Sequence, residues 1–196
     1  MLLLPEIIFA TNNSNKVKEI KAVVGNRMQV ISLAEAGIDI DIPEPHDTLE
    51  ANATEKSTVI HSLTQKNCFS EDTGLEVSAL NGAPGVKSAR YAGEGRDFNA
   101  NISKLLDEME GKQDRSAQFR TVVSLIWNNK EYLFEGICKG HITIEPHGSD
   151  GFGYDPVFIP EGSHKTFAEM TMEEKNVFSH RKKAISQLLQ FLQSLS

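Results

Sequence analysis

A lysine at the centre of an apolar helix face is the first residue here that asks for a chemical explanation. Leu49, Ala53, Ile60 and Leu63 recur at i, i+4, i+11 and i+14 behind Thr48, which predicts an amphipathic helix. At about 100° per residue Lys56 falls near the middle of that apolar arc, with Asn52 one turn earlier. Lysine is seldom buried unless paired. Its ammonium either snorkels past the face to water or points inward at an anion.

Four polar segments offer related chemistry. Thr11-Asn12-Asn13-Ser14-Asn15-Lys16 joins a predicted strand, Glu6-Ile7-Ile8-Phe9-Ala10, to a predicted helix. That helix carries Val17, Ile20, Val23 and Val24 and is closed by Gly25. Open backbone N–H groups at its start suit a phosphate, and Lys16 adds a charge, although the glycines of a Walker A loop are missing. A helix start rich in turn formers explains the same residues. Glu71-Asp72-Thr73-Gly74 follows Cys68-Phe69 and pairs two carboxylates at a strand end, with Gly74 permitting a tight turn. Such a pair suits a divalent cation or a general base, or is simply an exposed acidic turn. Residues 150–156 set Phe152 and Tyr154 among glycines, where an aromatic face can stack on a base or merely fill a structural turn. In residues 171–181, Thr171-x-x-Glu174 is a capping box, and Lys175 and Arg181 place cations near His180.

Around these segments the pattern alternates strands and helices. Gln29 to Ser32 reads as a strand, Ser32-x-x-Glu35 as a short helical turn, and Phe98, Ile102, Leu105, Leu106 and Met109 as an amphipathic helix. Residues 117–127 and 131–138 form a predicted hairpin across Asn128-Asn129, Ile142 and Ile144 mark a further short strand, and residues 157–159 another. Ile185, Leu188, Leu189, Leu192 and Leu195 share one face of a last helix. The expectation is an α/β fold with a mixed sheet, one domain over 1–196 with no separable linker.

Composition narrows the partners. With 20 Lys+Arg against 27 Asp+Glu the net charge is -7, which disfavours nucleic acid or an anionic membrane as a partner but not a small anion in a basic site. Cys68 and Cys138 fit no zinc or redox spacing, so two reduced thiols are expected, in a cytoplasmic protein. Met1-Leu2-Leu3-Leu4-Pro5 reads as neither a signal peptide nor a membrane span, and no later run reaches the ~18 apolar residues of a transmembrane helix. The histidines lack metal spacings, no Gly-x-Ser-x-Gly elbow occurs, and Asp-Thr-Gly occurs once, without the second copy an aspartic protease needs.

Taken in order, these segments resemble the inosine triphosphate pyrophosphatase family over nearly the whole chain. Thr11, Asn13 and Lys16 match its Thr-x-Asn-x-x-Lys, and Asn52, Ala53 and Lys56 match its Asn-Ala-x-x-Lys. Glu71-Asp72-Thr73-Gly74-Leu75, Gly82-Ala83-Pro84-Gly85-Val86 and Ser88-Ala89-Arg90-Tyr91-Ala92-Gly93 follow. Phe152-Gly153-Tyr154-Asp155-Pro156, Glu174-Lys175-Asn176 and Ser179-His180-Arg181 complete the pattern. Two neighbours depart from it: Ala51 stands where many members have Glu, and Leu49 where Phe is common.

The resemblance implies a two-lobed fold with a long, twisted mixed sheet flanked by helices, an active-site cleft between the lobes, and a homodimer. It implies Mg²⁺-dependent hydrolysis of ITP, dITP and XTP to monophosphate and pyrophosphate, one ion per subunit, cleansing the nucleotide pool. Thr11, Asn13, Lys16, Lys56, Thr73 and Lys175 would hold the triphosphate, with Asn52 beside them in its motif. Asp72 would be the catalytic base, with Lys56 beside it, and would share the metal with Glu44, for which Glu50 is a nearby rival. Phe152 would stack on the purine within the Gly153-Tyr154 segment, while Asp155, His180 and Arg181 read its edge. A donor such as Arg181 would favour a 6-oxo acceptor over the 6-amino group of adenine.

Overall fold

The computed structural model describes residues 6–195, so the reading of Met1–Pro5 lies outside the described residues. Seven strands form one mixed sheet among them: β1 (Glu6–Phe9), β2 (Gln29–Ser32), β3 (Cys68–Val77), β4 (Pro84–Gly85), β5 (Ser116–Trp127), β6 (Lys130–Ile142) and β7 (Phe158–Pro160). Their order is β2-β1-β3-β5-β6-β7, with β4 on β3; β1 runs parallel to both β2 and β3, while β4 and β7 pair antiparallel to β3 and β6. Five helices accompany the sheet: α1 (Ser14–Val24), α2 (Leu49–Thr64), α3 (Phe98–Glu108), α4 (Met172–Phe178) and α5 (His180–Ser194). None is long and apolar enough to cross a membrane.

The chain gathers into two compact units. The first comprises residues up to Asp72, Thr121–Gly136 and the chain from Arg181; the second comprises Thr73–Arg120 and Ile137–His180. In the first unit, strand alternation sorts side chains to two faces. Ile7, Phe9, Phe69, Val123 and Leu125 pack with Ile20, Val23 and Val24 of α1 and with Ile185, Leu188, Leu189 and Leu192 of α5. The intervening residues Ile8, Ala10, Cys68 and Ile126 pack with Ile60 of α2 and with Leu33 and Ile42. In the second unit Leu75, Val77, Ala117 and Phe119 join Ile102 and Leu105 of α3, Met109 at its C-cap, and Phe158 and Phe167 in a single core.

Local chemistry explains the boundaries. Thr48 caps α2 by accepting from the Ala51 amide, and Gln65 ends it in the left-handed region. Asn128 and Asn129 both take positive φ (51° and 63°), the conformation a two-residue hairpin turn requires. The Ser32/Glu35 box forms, with Ser32 N donating to Glu35 at 2.8 Å, but residues 33–37 make turns rather than a helix.

Several expectations are corrected. Gly74 makes no turn: it lies inside the continuous strand β3, and a Cβ there would come within 2.7 Å of the Gly85 carbonyl oxygen on β4. Close strand approach, not a bend, is what calls for glycine. Ile142 belongs to the end of β6, and Ile144 is 83% exposed rather than on another strand. Leu63 and Leu195 lie at the ends of their helices, beyond the packed stripe, and are exposed.

Candidate active site

Glu71 and Asp72 are neighbours on β3, so their side chains leave opposite faces of the sheet. That alternation separates the expected pair of carboxylates into two sites. Glu71 points with Phe69 toward α1 and α5, where it accepts from Arg181 Nε (2.8 Å) and Nη2 (2.8 Å) and meets Lys16 Nζ at 3.2 Å. Arg181 Nη1 also bonds Glu19. Burial alone would raise Glu71, but the charges of Arg181 and then Lys16 hold its carboxyl at about 2, so it stays ionised.

Asp72 points instead toward α2. Its Oδ1 accepts from Lys56 Nζ at 3.0 Å, and the same ammonium donates to Glu44 Oε1 at 2.6 Å. The buried lysine is therefore aimed inward, at two carboxylates. Burial raises the Asp72 pKa; Lys56 and Lys16 oppose that, and the Glu44 charge adds to it. For Lys56, burial pulls the pKa down, but Asp72 and Glu44 outweigh it and the net shift is upward.

Asn52 explains why Glu44 arrives here. Its Oδ1 accepts from the His46 amide (3.0 Å), and its Nδ2 donates to the His46 carbonyl (3.1 Å) and weakly toward Asp72 Oδ2 (3.5 Å). The fully buried amide thus pins the loop two residues beyond Glu44. α2 itself is fixed by the Ser57–Ser124 hydroxyl pair at 2.7 Å and by Ser70, which donates to the Ala53 carbonyl.

At the start of α1, Asn13 is the cap and accepts from the Asn15 and Lys16 amides, while the Asn13 amide donates to Thr11 Oγ1 at 3.2 Å. Two of the amides expected to stand open for a phosphate, those of Asn15 and Lys16, are thus already capped, because an N-terminal Asn satisfies them locally. Thr73 follows Asp72 on β3, half-buried.

A second cluster lies within the other unit. Asp155 Oδ2 accepts from Lys175 Nζ (2.6 Å) and from the Phe152 amide (2.9 Å), closing residues 152–155 into a tight loop. Gly151, at φ +80°, allows this, since a Cβ there would lie 2.1 Å from that oxygen. Lys175 Nζ stands 5.2 Å from the Phe152 ring centroid and 5.3 Å from that of Phe167. Tyr154 is buried with its hydroxyl donated to the Ser88 carbonyl (2.9 Å), and Gly153 takes φ +63°. His180 stacks on Phe119 with centroids 4.7 Å apart.

A sequence model of the Ham1 family matches residues 7–191 of this chain. The chain belongs to the Ham1 family. Among relatives of the Ham1 chain, a dITP/XTP pyrophosphatase of Flavobacterium psychrophilum is 48% identical over 189 residues, 96% of this chain and 100% of its own. One of Porphyromonas gingivalis, named likewise, is 49% identical over 95% of this chain and 97% of its own. The solved Staphylococcus aureus Ham1 protein superposes with TM-score 0.88 at 40% identity, covering 97% of this chain and 100% of that one. These matches bear out the α/β class and the resemblance carried by the motifs.

Within this Ham1 chain the expected residues fall into separate groups. Lys56, Asp72, Glu44 and Asn52 come together, and Lys16 joins Thr11 and Asn13 at the start of α1. Phe152, Asp155 and Lys175 form the second group, so Lys175, expected on the triphosphate, has Asp155 as its ion-pair partner. Arg181, expected at the base edge, is held by Glu71 and Glu19. His180 and Arg181 are adjacent, but about 100° separates successive residues on a helix, so they serve different surroundings. Glu19 was not among the expected site residues; it lies one turn after Lys16 on the face that carries Val23, a position where burial was predictable. Glu71 was expected to act together with Asp72, and has its own partners instead.

The donor set also bears on a metal. Among the described residues no group of three or more His, Cys, Asp or Glu side chains gathers as a metal cage. Magnesium needs only one or two carboxylates, with water and substrate oxygens for the rest. Glu44 and Asp72, already converging on one ammonium, fit that requirement.

Proposed function

We propose that this chain hydrolyses non-standard purine nucleoside triphosphates, dITP, ITP and XTP, to the monophosphate and pyrophosphate. The observation that carries the reading is the buried Lys56 ammonium shared by Glu44 and Asp72. An ammonium held by two carboxylates is pre-positioned for phosphate oxygens and costs little reorganisation at the moment of reaction. Lys16, at the start of α1, and Thr11, Asn13 and Thr73 are assigned to the same phosphates.

Glu44 and Asp72 would hold Mg²⁺, one per subunit. When bound, that ion supplies positive charge to the phosphate oxygens and acidifies a nearby water. Asp72 takes the proton of the water that attacks the α–β anhydride. Burial of its carboxyl favours the proton-bound form, which is what a base requires at that instant. Lys56 balances the charge that builds on the bridging oxygen as pyrophosphate leaves.

Base choice falls to the second cluster. Hypoxanthine and xanthine present a 6-oxo acceptor beside an N1–H donor, and adenine presents the reverse. Lys175 offers a donor and Asp155 an acceptor side by side, which matches the oxo-purines and leaves both groups mismatched on adenine. Phe152 supplies the stacking face, and Tyr154 holds its loop through Ser88. Arg181 fixes Glu71, and through it Lys16, so the base-edge role expected of it passes to the Lys175–Asp155 pair. The enzyme is assigned to the cytoplasm as a homodimer, which light scattering of the purified protein checks.

The decisive experiment is pyrophosphate release with Mg²⁺ on dITP, ITP, XTP, GTP and ATP, with Asp72→Asn alongside. Rapid turnover of dITP, ITP and XTP, slow turnover of ATP and a crippled variant are expected. Equal rates on ATP and dITP would sink the reading, as would full activity in Asp72→Asn.

A further inference from the structure

We propose that Phe98 is a second aromatic wall of the base site, contacting the purine beside Phe152; this rests on the assignment of Phe152 to the base made above. Phe98 opens α3, and its ring centroid lies 6.3 Å from that of Phe152 with the planes inclined by 49°, a tilted aromatic pair. It is 39% exposed, within a run, 92–100, that is exposed throughout.

Folding does not account for this placement. Phe98 lies one turn before Ile102, and the stripe Ile102, Leu105 and Met109 supplies the face that α3 buries in the core. Phe98 continues that stripe past the edge of the core and meets Phe152 there. The helix start is fixed independently of the ring, because Asp97 Oδ1 accepts from the Asn99 amide (2.8 Å) and the Ala100 amide (3.1 Å). Asn101 ties the same turn to the preceding segment, donating to the Ala89 carbonyl (3.1 Å) and accepting from the Ala92 amide (2.7 Å).

The two rings are thus presented by two separately braced elements, Phe152 by the Asp155 loop and Phe98 by a capped helix. A tilted pair with one member open to solvent leaves an apolar corner, and a flat heterocycle lying on Phe152 would offer its edge to Phe98. The contact is uniform in ground and transition states, since it lies on the base and not on the reacting phosphates. It therefore acts on KM and leaves kcat alone.

The test is steady-state hydrolysis of dITP with Mg²⁺ by the wild type, Phe98→Ala, Phe98→Tyr and Phe152→Ala, with Tm measured on each. Phe98→Ala should raise KM ~3- to 10-fold with kcat and Tm near those of the wild type. Phe98→Tyr should return KM close to the wild-type value. An unchanged KM in Phe98→Ala beside a raised KM in Phe152→Ala would overturn the role of Phe98 alone. A joint fall of kcat and Tm, or a Phe98→Tyr variant as poor as alanine, would also overturn it, by showing a packing role. A wild type that leaves dITP intact would instead remove the activity on which the inference stands.

Discussion

In the first unit, on the α2 side of β3, the Lys56 ammonium bonds two carboxylates, Glu44 and Asp72, while on the opposite side Lys16 and Arg181 meet Glu71 and Glu19. In the second unit, Lys175 pairs with Asp155 beside the rings of Phe152 and Phe167. Under the proposed activity, the difference matches each cluster to one end of the nucleotide. An acid-rich cluster repels a triphosphate until further positive charge enters, and the surplus carboxylates are what would bring in a divalent cation. A neutral pair framed by phenyl rings suits an uncharged base with one donor and one acceptor on its edge. The lysines expected on the triphosphate, Lys16, Lys56 and Lys175, thus each already have a carboxylate partner.

The largest expected effect breaks the first cluster by removing metal. Chelation with EDTA should abolish pyrophosphate release from dITP while the circular dichroism spectrum stays unchanged, and Mg²⁺ should restore it. Retained turnover would show that the surplus carboxylates serve another purpose. Next comes Asp72→Asn, which keeps shape but removes the carboxylate proposed as the base, with an expected loss of about 10²- to 10⁴-fold in kcat by single-turnover kinetics.

Arg181→Ala tests the opposite side of β3 through stability. It leaves Glu71 and Glu19 buried against too little positive charge, and loss of one partner of a buried pair costs about 3–5 kcal/mol. Urea denaturation reads this directly; Arg181→Lys should recover only part, because an ammonium cannot replace the guanidinium fork on Glu71. In the second cluster Asp155→Asn should narrow the preference for dITP over dATP by about ten-fold, the scale of one mismatched polar contact, with thermal stability changed less than in Arg181→Ala. If instead Arg181→Ala collapsed the preference and Asp155→Asn left it intact, the division of labour between the clusters would be reversed.

The smallest effect is a pH slope. Glu71 has a folded pKa of about 2, below its ordinary 4.5, so the folded state binds the proton more weakly than the unfolded chain. Its contribution is complete above pH 4.5 and is lost as the pH falls toward 2. Glu71→Gln should flatten that part of the Tm-against-pH curve. An unchanged slope would mean that other carboxylates carry the acid sensitivity.

Much of the fold was legible because its signals are local. The Thr48 cap, the Thr171–Glu174 box, the Asn128-Asn129 turn and the apolar stripes of α1, α2 and α5 each depend on residues within a turn or two. Lys56 also announced itself, since a charge within an apolar arc is visible from periodicity alone. Partners were not legible. Glu71 reaches Arg181 across 110 positions, and Glu19 reaches it across 162. No spacing rule spans such distances.

Local patterns in the chain settled on which elements the candidate site residues ride: a lysine inside α2, acids on β3, a capped start for α1, and an aromatic-glycine loop before β7. Those are short-range facts, fixed by helical and strand periods and by turn chemistry. How they pair depended on the packed fold. Strand alternation sent Glu71 and Asp72 to opposite faces, and the helical period parted His180 from Arg181. Lys56 found Glu44 because Asn52 holds the loop after it. Buried charge must be matched by whatever lies nearest in space. That neighbour is set by packing, not by order along the chain.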